Sequence, residues 1–359
     1  MPNRFAVILA GGRGERFWPL SRAARPKQLL DLVGDKPLIA QAVERLQGLV
    51  PPYRVLILTN KDLVEATRAA VPGVPAANII GEPVGRDTAP AVALAAALVK
   101  ARDPQGTIAI LTADHVIGDL PLFRRTLAAA MDAAESGDWL VTIGIKPHEP
   151  STGFGYIELG DVVMSCSDES FRRAARFVEK PDRATAERYL ASGRYVWNSG
   201  MFIWTVPTIE AALRAHHAEL GERVDEWARL AGAQDFQTRL AESFAAVRKI
   251  SIDYAVMEKA SNILVAEGRF AWDDVGSWPA LERHFPRDAE DNVSIGDAVT
   301  VKSARNIVYS KGRLTALVGI DDAIVVQADD VTLVCRRDRA QDIKLLLTRL
   351  RELGRDEVL

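Results

Sequence analysis

Phe5-Ala6-Val7-Ile8-Leu9-Ala10-Gly11-Gly12-Arg13-Gly14-Glu15-Arg16-Phe17-Trp18-Pro19-Leu20 opens on five apolar residues and then places three glycines within four positions. An unbroken apolar run reads as a strand covered on both faces, the kind found in parallel sheets. The glycines let the backbone turn sharply and expose successive N–H groups, a nest suited to phosphate oxygens. Arg13 and Arg16 add charge of the type that grips phosphate bidentately, and Arg25-Pro26-Lys27-Gln28 follows with a lysine on a proline-fixed turn. Two other glycine-loop readings fail on detail. A dinucleotide fingerprint needs glycine at position 17, where this chain has Phe17, and a P-loop needs a Gly-Lys pair that never follows. A phosphate cradle and a tight strand-to-helix turn with solvated arginines both remain open on the loop alone.

Working outward, short apolar runs at Phe5–Leu9, Arg54–Thr59, Thr107–Thr112, Trp139–Ile145 and Met201–Thr205 alternate with helical patterns at about 37–50, 62–70, 88–102 and 121–136. That alternation predicts an α/β fold, a mostly parallel sheet flanked by helices, with ligands at the carboxyl ends of the strands. Around 286–297 the texture turns polar. Beyond it come brief β-rich pieces, Ala298–Lys302, Asn306–Tyr309, Leu314–Ile320, Ala323–Gln327 and Thr332–Cys335, then a terminal amphipathic helix carrying Ile343, Leu346, Leu347 and Leu350. We therefore expect a large α/β domain over 1–288 and a small β-rich domain over 289–359. The last helix reads as a lid on its own domain rather than a dimer contact, and a homodimer stays open.

The 359 residues carry a net charge of −3, so no overall basic field draws a nucleic-acid backbone. Two distant cysteines, Cys166 and Cys335, argue against a disulfide framework or a zinc site and fit a reducing compartment. The start of the chain is too short in apolar residues for a signal peptide, and no run approaches the roughly 18 needed to span a bilayer. No membrane partner and a cytoplasmic location are expected.

Four further segments carry chemistry. Gly81-Glu82-Pro83-Val84-Gly85-Arg86-Asp87-Thr88-Ala89-Pro90-Ala91 opens a helix, and Asp87 or Thr88 suits its N-cap. Asp114, in Leu111-Thr112-Ala113-Asp114-His115, ends a strand, where a carboxylate can hold Mg²⁺ against phosphates or simply form a turn. Glu179-Lys180-Pro181 could be an exposed pair of little energetic weight. In Trp272-Asp273-Asp274-Val275-Gly276-Ser277-Trp278 the adjacent carboxylates repel unless a cation or solvent intervenes, so this is a metal site or an exposed turn.

The composite L-A-G-G-x-G-x-R-x-x-P-L followed by P-K-Q resembles the signature of the sugar-1-phosphate nucleotidyltransferases. The resemblance implies that Leu9, Ala10, Gly11, Gly12, Arg13 and Gly14 hold a nucleoside triphosphate, which Arg16 and Lys27 neutralise during transfer. Segment 82–91 is similar to the guanine-recognising E-P-x-x-R-N-T-A-P-A of the mannose-1-phosphate guanylyltransferases, with Asp87 where Asn is usual. It would place Glu82, Arg86, Asp87, Thr88 and Ala89 on the nucleotide. P-A-D-H, here with Thr112 for proline, makes Asp114 a metal ligand. W-x-D-x-G-x-W makes Asp274 the second and leaves Asp273 in support. The segments at 151–158, 177–181 and 197–202 resemble the sugar-phosphate pocket, with Phe154 for the common tyrosine. Glu179 and Asn198 would bind sugar hydroxyls, Gly155 would let the hexose approach the backbone, and Lys180 would hold the phosphate.

The tail, through Ser303–Val308, Asp321–Val326 and Asp330–Lys344, resembles a partial left-handed β-helical domain of the same relatives. What the whole resemblance implies is a Rossmann-like fold that uses Mg²⁺ to transfer GMP from GTP to mannose 1-phosphate by direct in-line displacement. Within the class the rivals are enzymes for GDP-heptose or UDP-glucose. A catalytically dead nucleotide-sugar binding protein is opposed by the presence of Lys27, Asp114, Lys180 and Asp274 together, and a nicotinamide dehydrogenase rests on the glycine loop alone.

Overall fold

The opening apolar run forms β1 (Arg4–Ala10) in a computed structural model that describes residues 3–359. Strands β2 (Val55–Asn60), β3 (Ile79–Glu82), β4 (Thr107–Thr112), β5 (Val116–Ile117), β6 (Leu140–Ile145), β7 (Tyr156–Cys166), β8 (Glu169–Val178), β9 (Tyr195–Thr205), β10 (Ile263–Gly268) and β11 (Trp272–Asp273) follow. Apart from the short pair β5 and β11, they make one sheet in the order β3-β2-β1-β4-β9-β6-β10-β8-β7. The α/β class and a sheet rich in parallel pairings hold: β3, β2, β1 and β4 run parallel, as do β6 and β10. The Met201–Thr205 run is the end of a longer strand, β9, that enters antiparallel between β4 and β6. The hairpin of β7 and β8 went unread because only four of its 21 residues are buried and its apolar run is interrupted.

Ala6, Val7 and Ile8 of β1 are completely buried, as a central strand covered on both faces requires. One cover is the helix Thr88–Lys100, in which every residue from Ala89 to Val99 is buried. Its alanines, small on every side, let the helix Ala218–Leu230 pack closely against it. Lys100 ends the helix in ion pairs with Glu210 and Asp225, both at 2.6 Å.

Packing divides the chain into two units. The first holds the chain up to Gly11, 42–113 and 117–272; the second holds 12–41, 114–116 and 273–359. The sequence texture changes near 288, but the core of the second unit reaches much further back. Phe17, Trp18, Leu30, Leu32 and Leu38 share it with Val275, Trp278 and Leu281, and with residues of the C-terminal strands and helix. Trp18 Nε1 donates to the Val358 carbonyl at 2.7 Å, and Trp278 Nε1 donates to the Trp18 carbonyl at 3.2 Å. Sequence periodicity cannot announce such a partnership between segments some 260 residues apart.

The C-terminal strands are β12 (Val293–Val301), β13 (Ile307–Val318), β14 (Ala323–Gln327) and β15 (Thr332–Arg336), in one four-stranded sheet in that order. β12, β13 and β14 are parallel, and β15 is antiparallel to β14. Asn306 Nδ2 donates to Asn292 Oδ1 and to the Ile320 carbonyl, at 2.9 and 2.7 Å, satisfying buried turns between successive coils. The runs expected as two strands at 306–309 and 314–320 are one strand, β13, with an irregularity opposite Gly296. Gly296 has φ +96°, and a Cβ there would lie 2.0 Å from the Ser310 carbonyl oxygen, so only glycine fits. The last α-helix, Ile343–Glu352, buries Ile343 and Leu347, and a short 3-10 turn at Asp356–Val358 follows it. Among the described residues no helix is long and apolar enough to cross a membrane.

Candidate active site

The glycine loop is where the chain passes from the first unit to the second, Gly11 belonging to one and Gly12 to the other. In the second unit Gly14 has φ +60°, and a Cβ on it would lie 2.2 Å from Lys27 Cβ. Two demands thus converge on this glycine: a left-handed backbone and room for the lysine stem. Lys27 is only 5 % exposed, yet its Nζ donates to Asp114 Oδ2 at 2.9 Å and to the Asp274 carbonyl at 2.5 Å. Three motifs separated by 87 and 247 positions therefore meet at one ammonium group.

The two expected metal ligands respond in opposite ways. Burial pushes the Asp114 carboxyl up, but Lys27 and His115 outweigh it and hold the group below the usual carboxylate range. Asp274 is raised, chiefly by burial and then by the negative charges of Asp273 and Asp114, against relief from Lys27 and Arg16. Gly276 makes room for that carboxylate: a Cβ would lie 2.9 Å from Asp274 Oδ2. Asp273 faces other partners. It accepts from Arg283 Nε at 2.7 Å and from the Val275 N–H at 2.8 Å, and His284 Nε2 lies 2.8 Å away. These bonds overcome burial and depress its carboxyl far below the ordinary range. Arg16 is half-buried with Nη1 3.4 Å from Gln341 Oε1, and Arg13 is exposed, its carbonyl accepting from Ser21 Oγ.

In the first unit Leu9, Ala10 and Gly11 close the carboxyl end of β1, and Glu82 closes β3. A Cβ on Gly11 would come within 3.2 Å of Glu82 Oε2, so this carboxyl lies against the start of the loop. Burial alone pushes Glu82 up to about 7. The rest of that segment is engaged in local architecture. Asp87, at φ 69°, caps the helix by accepting from the Thr88 N–H at 2.8 Å. Thr88 Oγ1 accepts from the Ile252 N–H, the Ala89 N–H donates to the Ile250 carbonyl, and Arg86 donates to the Ala245 carbonyl.

The four sugar-pocket candidates do come together in this unit. Lys180, with φ 46°, bonds Glu179 Oε1 at 2.5 Å. Burial works against the ammonium charge, yet the Glu179 carboxylate raises Lys180 above its ordinary value. A Cβ on Gly155 would fall 2.4 Å from Glu179 Oε2 and 3.4 Å from Asn198 Cβ. The missing side chain at 155 thus makes room for the Glu179 carboxylate itself. Asn198 Nδ2 donates to Asp253 Oδ1 at 2.9 Å.

Two domain models match in succession: the nucleotidyl transferase model over residues 5–291, and the mannose-phosphate isomerase/GMP-like β-helix domain over 296–350. This chain is a member of the nucleotidyl transferase family, on its mannose-1-phosphate guanylyltransferase branch. A mannose-1-phosphate guanylyltransferase of Escherichia coli is 38% identical, the match covering 98% of this chain and 74% of that one. The xanthan biosynthesis protein XanB of Xanthomonas campestris is also 38% identical, over 99% and 75%. A solved structure described as mannose-1-phosphate geranyltransferase, from Thermus thermophilus, superposes with a TM-score of 0.87 at 38% identity, over 97% of this chain and 99% of that one.

For this nucleotidyl transferase the donor set suits a hard divalent cation. Asp114 and Asp274 repel each other, and among the described residues no group of three or more acidic, histidine or cysteine side chains gathers to cage a metal by itself. Mg²⁺ commonly takes one or two carboxylates and completes its shell with water and phosphate oxygens. Nothing in the sequence reading above assigned a role to Asp253 or Glu258. Glu258 Oε1 accepts from the Glu179 N–H at 3.1 Å. The signal was present as two carboxylates five positions apart, a spacing that carries no meaning on an ordinary helix.

Proposed function

We propose that the chain transfers GMP from GTP to α-D-mannose 1-phosphate, releasing pyrophosphate and forming GDP-mannose. The observation that carries this reading is the convergence of Lys27 on Asp114 and Asp274. A buried lysine between a strand-end carboxylate and a second acidic motif suits a triphosphate far better than a structural turn. An oxygen of the sugar phosphate forms a bond to the α-phosphorus of GTP, and the bond from that phosphorus to the α–β bridging oxygen breaks. Pyrophosphate departs with the electron pair. The attacking phosphate is already anionic, so no side chain must serve as nucleophile or base, and the protein's work is positioning and charge stabilisation.

Arg16 and Lys27 offset charge on the triphosphate. Lys180 holds the sugar phosphate, with Glu179 and Asn198 on ring hydroxyls. Asp114 and Asp274 would hold Mg²⁺, which supplies Lewis-acid stabilisation of phosphate charge when bound. Glu82 is the group we assign to the base. A carboxylate can accept from the N1–H and 2-amino group of guanine together, a pairing no pyrimidine offers. All these residues fall within 1–288, and 289–359 contributes to the core that supports the Lys27 loop.

The test is pyrophosphate release over a grid of nucleoside triphosphates and sugar 1-phosphates. GTP with mannose 1-phosphate should be the best pair, and pyrimidine triphosphates should be rejected by roughly 10⁴-fold because they leave buried polar groups unpaired. Faster turnover with UTP or dTTP would overturn the assignment, whereas a preference for another sugar phosphate would overturn only the sugar half.

A further inference from the structure

The segment Asp253–Met257 is a π-helical turn, a rare form that recurs at functional sites. Its defining bond runs from the Glu258 N–H to the Asp253 carbonyl at 2.9 Å. The two ends of the turn each hold one of the sugar-site residues. Asp253 Oδ1 accepts from Asn198 Nδ2 at 2.9 Å, and Glu258 Oε1 accepts from the Glu179 N–H at 3.1 Å. An ordinary helix would not bring residues five apart to one side.

We propose that this turn is a positioning clamp for the sugar site, with Asp253 fixing the carboxamide of Asn198 as a hydrogen-bond donor to one sugar hydroxyl; this rests on the sugar-site reading above. The carboxamide is held at both ends. Its Oδ1 accepts from the Gly200 N–H at 3.2 Å, while one Nδ2 hydrogen goes to Asp253. A flipped amide would set N–H against N–H and oxygen against carboxyl oxygen, so this orientation is enforced. One Nδ2 hydrogen remains for a ligand. The charged groups that face Asp253 are Glu179 and Lys180. Burial, and then the Glu179 charge, raise the Asp253 carboxyl to about 7, and in either protonation state it keeps an acceptor oxygen for Asn198.

Asp253 is thus a positioning residue, and the readout must separate positioning from bulk stability. Initial rates are measured at saturating GTP and Mg²⁺ with mannose 1-phosphate and with deoxy analogues each lacking one ring hydroxyl. The wild type should lose about 10-fold or more in kcat/KM on the analogue lacking the hydroxyl read by Asn198, the size of one lost hydrogen bond. Asn198→Ala should erase that discrimination. Asp253→Ala should erase it for the same analogue, raising KM for mannose 1-phosphate about 10-fold while leaving KM for GTP within about 2-fold. Asp253→Asn retains an acceptor and should restore most of the discrimination. Should Asp253→Ala not fold, Glu258→Ala carries the test through Glu179, with discrimination lost on a different analogue.

Discrimination unchanged in Asp253→Ala but erased in Asn198→Ala would overturn the clamp and leave the sugar site standing. A loss spread equally over all analogues and GTP, unrelieved in Asp253→Asn, would show a merely structural residue. Asn198→Ala with wild-type use of every sugar phosphate would sink the sugar-site reading and the clamp together.

Discussion

Glu82→Gln keeps the shape of the side chain and removes its titration, and so isolates what a buried carboxyl costs the fold. Glu82 is 7 % exposed, and burial raises it from 4.5 to about 7. The folded state therefore holds a proton on Glu82 that the unfolded state releases between those values. Stability falls wherever the folded state binds more protons, so the contribution is favourable below pH 4.5 and declines as pH climbs toward 7. Above about 7 the loss is complete. At 1.36 kcal/mol per unit, the difference between wild type and Glu82→Gln should shift by about 3 kcal/mol across this window, against the wild type as pH rises.

The assay is urea unfolding of both proteins at pH 5, 6, 7 and 8, comparing the pH slopes rather than absolute stabilities. Parallel curves would refute the burial argument, because they would mean Glu82 ionises with equal ease folded and unfolded. The same variant bears on the base. If the carboxylate reads the 2-amino group of guanine, wild type should favour GTP over ITP by about 10-fold or more, and Glu82→Gln should lose most of that preference.

Gly14→Ala should lower turnover by about 100-fold or more and depress the melting temperature, since a left-handed alanine alone costs about 1–2 kcal/mol and its Cβ would meet the Lys27 stem. Wild-type kinetics and melting in that variant would dismiss the packing argument. Asp114→Asn and Asp274→Asn should each lose on the order of 10²–10³ in turnover with partial rescue by raised Mg²⁺, whereas Asp273→Asn should chiefly lower stability because it breaks the bonds to Arg283 and His284. A Mg²⁺ titration of all three, with melts, checks the assignment; normal metal dependence in Asp114→Asn would refute it. Asp87→Asn should change stability by less than about 0.5 kcal/mol, because either residue accepts the cap bond and the two side chains have the same shape, so the backbone strain is unchanged. A loss beyond about 1.5 kcal/mol by denaturant titration would show that the ionised carboxylate matters.

The sequence by itself determined the α/β class, the parallel core around β1 and, through its glycine-loop signature, the family. These are local properties: a strand period or a glycine cluster is complete within a dozen residues. The family resemblance favoured Asp274 over Asp273 as the metal ligand, and the structure ties Asp273 to Arg283 and His284. What only the tertiary structure decided is which distant groups meet. That Lys27 sits between Asp114 and Asp274 depends on the fold joining positions 247 apart, and no local pattern encodes it. The core joining Phe17 and Trp18 to the C-terminal strands was hidden for the same reason. That a Cβ at Gly155 would collide with the Glu179 carboxylate was equally hidden. The π turn at Asp253 was invisible because its bonding pattern is chosen by packing, not by propensity: the same residues would spell an ordinary helix in isolation.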